Sequence, residues 1–161
     1  HQLDFFWKPP GVLLKSLVGN VSRNGNFQLN IGPKADGTFP KASIRRLREM
    51  GAWMFVNGEA VYATKPNPFR NVNWGYITWK EKEDQALVYL HVTEWTENHE
   101  IAIPGFRYLP DKAYVLESKE PVDLFPHHTL HVKLPALPVD RRITVIKMEM
   151  DLELFKSLAT N

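Results

Sequence analysis

The chain has 161 residues, with 20 Lys plus Arg against 18 Asp plus Glu, 43% hydrophobic residues, 12 Pro, 9 Gly and no Cys. A chain of this length buries about 70% of its unfolded surface and needs neither metal nor disulfide to hold a core; without Cys, a disulfide framework, a thiolate nucleophile, a Cys-type zinc site and an iron–sulfur cluster are all excluded. A formal charge of +2 from scattered basic residues gives no footprint for nucleic acid or an anionic membrane, and apolar runs such as Val12 to Leu14 fall far short of the about 18 residues that span a bilayer.

The first residue is His1 rather than Met, and no basic-then-apolar leader opens the chain, so the sequence reads as a piece of something longer. Leu14, Leu17, Val18 and Val21 recur at helical spacing after Pro9, Pro10 and Gly11, with Asn24 and Gly25 as stop signals, which predicts a helix over about residues 11–23. Strict alternation in Phe27, Gln28, Leu29, Asn30 and Ile31, broken by Gly32 and Pro33, predicts a short strand. After Pro40, the residues Ile44, Leu47, Met50, Gly51 and Met54 form one stripe of a second helix, and Asn57 and Gly58 are suited to a left-handed stop. Helix, strand, helix is the order of one repeat of a β/α layer or barrel.

The texture changes near Lys65, where Pro66, Asn67, Pro68, Asn71 and Asn73 mark a linker, and a domain boundary is expected there, giving units 1–64 and 65–161. Strands are expected at 74–80, 86–92, 100–104, 113–118, 129–134 and 142–148, spaced as an antiparallel β-sandwich requires, with a short helix over Leu152 to Leu158. In the second of these strands Val88, Leu90 and Val92 point inward, and Tyr89 and His91 outward, as on a half-buried sheet.

The loop Gly32 to Thr38 has the spacing of a phosphate loop but lacks the Lys and Ser or Thr that must follow its second Gly, and Pro33 removes an amide from the anion cradle; a tight βα turn built on Asp36 and Gly37 is the better reading. His127, His128 and His131 lie on an extended segment that throws neighbours to opposite faces, with no acid between 126 and 134, so no metal site is expected. Trp74, Tyr76 and Trp95 are candidates for stacking on sugar rings, although strand parity puts Trp74 and Tyr76 on one face and Trp79 on the other, so that part of the set must be core. The acids Glu49, Glu59, Glu94, Glu97 and Asp123 show no pairing that would mark a hydrolytic dyad, and no G-x-S-x-G turn occurs. The residues themselves thus supply no catalytic group and no cofactor site.

Two blocks, Leu17-Val18-Gly19-Asn20-Val21-Ser22-Arg23-Asn24-Gly25-Asn26-Phe27-Gln28-Leu29-Asn30-Ile31-Gly32-Pro33-Lys34-Ala35-Asp36-Gly37-Thr38 and then Gly51, Trp53, Asn57, Gly58, Glu59, Ala60, Val61 and Tyr62, resemble the late part of α-L-fucosidases of glycoside hydrolase family twenty-nine. Gln28 and Val61 depart from the family pattern, which has an apolar residue and Ile there. The resemblance implies the last helix–strand–helix element of a (β/α)8 catalytic barrel followed by a C-terminal antiparallel β-sandwich, an α+β fragment. It implies retaining hydrolysis of terminal α-linked fucose by an Asp nucleophile and a Glu acid/base. Both belong to motifs upstream of these blocks, so no catalytic residue is carried over to this chain, and the piece alone is expected to be inactive.

Because active sites of such barrels assemble at the βα loops, Asn30, Lys34 and Asp36 are expected near the substrate, and His1 is placed near the pocket by position. The implied partners are a fucosylated glycan, the upstream barrel and, for the isolated piece, a second copy; nucleic acid, membrane and cofactor are not among them. A rival expectation is a non-catalytic carbohydrate-binding or structural sandwich module. The cellular compartment stays open.

Overall fold

The computed structural model describes residues 7–69 and 71–159. Helix α1 (Pro10–Val21) starts on consecutive prolines, which have no amide hydrogen to leave unpaired in a first turn. It stops where the sequence indicates: Asn24 takes φ 62° and the Gly25 amide returns to the Asn20 carbonyl at 2.8 Å. Helix α2 (Lys41–Asn57) follows Pro40. Its end differs from the expectation, because Asn57 and Gly58 keep negative φ and the chain tightens into a 3₁₀ turn, Gly58–Ala60, with Ala63 the left-handed residue. Gly58 serves close packing instead, since a Cβ there would lie 3.0 Å from the Tyr62 ring.

Among the described residues seven strands follow: β1 (Gly75–Lys82), β2 (Gln85–Val92), β3 (Glu100–Ile103), β4 (Lys112–Val115), β5 (Leu124–Pro126), β6 (Leu130–Lys133) and β7 (Thr144–Asp151). All pair antiparallel, in a four-stranded sheet ordered β1-β2-β7-β4 and a three-stranded sheet ordered β3-β6-β5. The sequence reading missed β5, which has three residues, ends in Pro126 and lies on a sheet edge, where a missing amide is tolerated. Helix α3 (Leu152–Ala159) closes the described chain, with the Asp151 carboxylate accepting from the Leu154 amide at 2.8 Å.

Two apolar layers result. Between the sheets lie Ile77, Trp79, Val88, Leu90, Ile146 and Met148 against Ile101, Ile103, Phe106, Leu130 and Val132, plugged by Phe155 of α3. On the other side of the four-stranded sheet, Leu87, Tyr89 and Val145 pack against Leu14 and Val18 of α1 and Met50 and Trp53 of α2. The inward and outward assignment along β2 holds, but the half-buried pattern does not. Tyr89 and His91 are fully buried, because the two helices cover the face expected to meet solvent.

The expected strand over Phe27 to Ile31 belongs to no ladder. Phe27, Leu29 and Ile31 are half-buried and Gln28 and Asn30 exposed, so the alternation is real, yet among the described residues no neighbouring strand pairs with this backbone. A strand exists only through a partner's hydrogen bonds, which local pattern cannot supply. The stripe on α2 is also rotated: Met50, Trp53 and Asn57 are buried, whereas Leu47 and Gly51 are exposed.

Candidate functional site

The loop after the extended segment is ordered by its own polar groups. The Asp36 carboxylate accepts from the Thr38 amide at 2.9 Å and from the Thr38 hydroxyl at 2.7 Å, and these bonds hold its pKa below the ordinary carboxylate value. Gly37 takes φ 79°, and the Lys34 and Thr38 backbones close the turn through an amide–carbonyl bond of 2.8 Å. Asn30, Lys34 and Asp36 are all exposed; Asn30 also borders a hollow of about 170 Å³ with Trp7, Leu13, Leu29, Ile31 and Leu47. Arg46 ties this hollow together, donating to the Lys8 carbonyl at 2.8 Å and the Ala42 carbonyl at 3.0 Å, with its guanidinium 5.3 Å from the Trp7 ring centre. Sequence reasoning missed Arg46, one of several basic residues on a helix whose spacing gave it no distinction.

The aromatic candidates separate in space. Trp74 is buried in the inter-sheet core with its indole N–H donating to the Ala102 carbonyl at 2.8 Å, which leaves no ring face for a sugar. Trp95 is partly buried against the same core. Tyr76 lies on the opposite side of the sheet, close beneath Gly19 and with Arg23 over its ring at 5.4 Å, and it forms one wall of a polar cleft of about 220 Å³ with Asn67, Asn73 and Thr93. The three do not form one platform. The reason is that Trp74 precedes β1, so strand parity does not carry over to it from Tyr76.

Three of the five acids face cations. Glu49 lies 3.9 Å from Arg142, which also clasps Asp140 at 2.9 Å; Glu94 pairs with Lys15 at 2.5 Å and Glu59 with Lys147 at 3.2 Å. His131 finds a carboxylate after all, Glu100 at 2.5 Å from the neighbouring strand β3, with the His127 ring edge-on at 5.3 Å. Among the described residues no group of three or more His, Asp or Glu is arranged to hold a metal, and no helix is long and apolar enough to cross a membrane. His1 lies outside the described residues.

The described chain is a helical segment seated on an antiparallel sandwich, and known proteins share both parts. The sequence profile of the α-L-fucosidase family matches residues 5–59. Plasma α-L-fucosidase of Rattus norvegicus is 42% identical over 84 residues, which are 52% of this chain and 18% of that protein. The α-L-fucosidase of Branchiostoma floridae is 37% identical over 91 residues, 56% of this chain and 20% of that protein. Among solved structures, α-L-fucosidase isoenzyme 1 from Paenibacillus thiaminolyticus superposes with a TM-score of 0.82 at 31% identity, covering 92% of this chain and 36% of that one. A family twenty-nine enzyme from Bacteroides thetaiotaomicron, described as a trapped covalent intermediate, superposes with a TM-score of 0.77 at 27% identity, covering 89% of this chain and 32% of that one.

Over residues 5–59 the chain matches the α-L-fucosidase family, and its fold is similar to that of family twenty-nine enzymes. It spans about a fifth of the curated relatives it matches.

Proposed function

We propose that this chain is the C-terminal part of a retaining α-L-fucosidase that removes terminal α-linked fucose from glycans, with the nucleophilic Asp and the acid/base Glu supplied from upstream of the matched segment. The observation that carries this reading is the superposition of 92% of the chain on a fucosidase structure at 31% identity, together with the family match over residues 5–59. Retention is supported by the covalent intermediate described for the Bacteroides relative, since a glycosyl enzyme forms only when a carboxylate attacks the sugar directly. An upstream location for the dyad is consistent with Glu49, Glu59 and Glu94 each facing a cation, whereas retention needs two carboxyl groups about 5 Å apart on either side of a sugar.

In this reading the Gly32 to Thr38 turn lies at the rim of the substrate pocket, with Asn30, Lys34 and Asp36 supporting it from outside. The extended Phe27 to Ile31 segment is then a strand whose pairing partners come from the upstream barrel, which would also cover exposed Val12, Phe39 and Leu47. Isolated from that barrel, the same apolar surface favours self-association.

The test is hydrolysis of an aryl α-L-fucoside by the 161-residue chain and by the protein that includes its upstream coding sequence. Release by the longer protein alone, with the α-anomer of fucose as the first product by NMR, is expected. Turnover by the 161-residue chain, or inversion by the longer one, overturns the reading.

A further inference from the structure

The second block of family resemblance lines a shallow hollow with Leu116, Lys119 and Lys147, and four of its polar groups reach across to the four-stranded sheet. The Trp53 indole N–H donates to the Ile143 carbonyl at 2.9 Å. The Glu59 carboxylate meets the Lys147 ammonium of β7 at 3.2 Å, and the Glu59 carbonyl accepts from Lys80 of β1 at 2.8 Å. The Ala60 carbonyl accepts from the Thr78 hydroxyl at 2.7 Å.

That last bond determines the next. A carbonyl can only accept, so the Thr78 hydroxyl proton is committed to Ala60, and the 2.9 Å contact between Thr78 Oγ1 and His91 Nε2 requires His91 to donate from Nε2. His91 therefore carries a proton on Nε2, and full burial in β2 keeps its ring neutral. Beneath the turn lies the buried Tyr89 ring, with the Lys80 and Lys147 ammonium groups 5.4 Å and 6.0 Å from its centre.

We propose that Trp53 to Tyr62 is a docking clasp whose receptor is the helix-facing side of β1, β2 and β7, so that Glu59–Lys147 and the Ala60–Thr78–His91 relay fix where the helical layer sits on the sandwich. Apolar contact alone is non-directional and would let two helices slide over a sheet of Leu and Val. Buried polar groups forbid that, because each loses its partner if the turn moves by one position. Lys147 retains Glu149 at 3.5 Å when Glu59 leaves, so the sheet keeps its own charges satisfied while the helical layer loses its anchor. The assignment gives the sandwich a task, holding α2 by its C-terminal end and with it the loop that enters α2 at Pro40. It also removes Glu59 from the acids available for chemistry. Nothing in it depends on the fucosidase reading, so an activity assay fails or succeeds separately.

Hydrogen-exchange mass spectrometry of the 161-residue chain tests the clasp, using Lys147→Met, Thr78→Val and Glu59→Gln, with Lys82→Met, at the exposed end of β1, as a charge-matched control. In the clasp variants, amides of residues 41–62 are expected to exchange about tenfold faster while those of β3 and β6 keep their protection; the control should change neither. Unchanged protection of 41–62, or equal loss in both sheets, overturns the proposal. Because Thr78→Val strands two buried groups and can unfold the chain outright, Glu59→Gln, at the surface, carries the test in that event. The double variant Glu59→Gln/Lys147→Met should exchange within about twofold of Lys147→Met alone, and additive effects would show that the two residues are not one contact.

Discussion

The two sides of the four-stranded sheet are built on different principles. The inter-sheet side is almost wholly apolar: Ile77, Leu90, Ile146, Ile101, Ile103 and Val132 meet at 0–2% exposure, and the buried indole of Trp74 finds a strand carbonyl. The helix-facing side mixes Leu14, Val18 and Trp53 with Thr78, His91 and Tyr89, each carrying a polar atom into the interior. An apolar core supplies stability in proportion to area and tolerates repacking, whereas a polar interior layer contributes little net energy but penalises any other arrangement. The first makes a domain; the second decides what is allowed to sit on it.

Phe155→Ala would strain this contrast most. The ring is fully buried, 4.6 Å from Trp79 and 5.7 Å from Phe69 between ring centres, and its removal should cost about 4 kcal/mol in equilibrium denaturation, with sheets and helices lost in one transition. A cost below about 1 kcal/mol would mean that α3 is not part of the inter-sheet core.

Acid should separate the two layers next. Burial pushes His91 down from 6.5 to about 4, while in the unfolded chain it returns to its ordinary value. The unfolded state therefore binds the extra proton first as pH falls, so the contribution of neutral His91 is complete above pH 6.5 and is lost progressively between pH 6.5 and about 4, by about 3 kcal/mol. Stability curves of the wild type and His91→Gln measured across that window should converge toward acid; parallel curves would show that His91 does not titrate with unfolding.

Trp53→Phe keeps most of the ring but leaves the Ile143 carbonyl without its donor, and should cost about 2 kcal/mol, with loss of near-ultraviolet ellipticity from an immobilised indole. The smallest effect is expected at Lys15→Ala, which breaks a pair with Glu94 whose side chains are 37% and 64% exposed; about 0.5 kcal/mol or less is expected, fading in salt. A larger loss there would place the Lys15–Glu94 pair among the contacts that fix α1 on the sheet.

Much of this was legible in the chain itself. Pro9, Pro10, Asn24 and Gly25 bracket α1, and alternation located six of the seven strands to within a few residues, because caps and pleat parity act over a few neighbours. The turn chemistry of Asp36 and Gly37 was also readable, since both bonds to Asp36 come from a residue two positions on. The partners of Glu59, His91 and Trp53 were not, because Lys147, Thr78 and Ile143 lie 13 to 90 positions away and no local period points to them. A Lys among the apolar residues of β7 was the one available hint of a charge needed on the covered face.

Residue order alone thus set the helix limits, the strand parity and the two blocks shared with fucosidases, all of which depend on steric and hydrogen-bonding preferences between near neighbours. Tertiary structure decided which sheet face is covered, that Phe27 to Ile31 stays unpaired among the described residues, and that Trp74 is core. Each of those is a question of which distant surface arrives first at a given face, and burial and ladder bonds are properties of the pair, not of either segment alone.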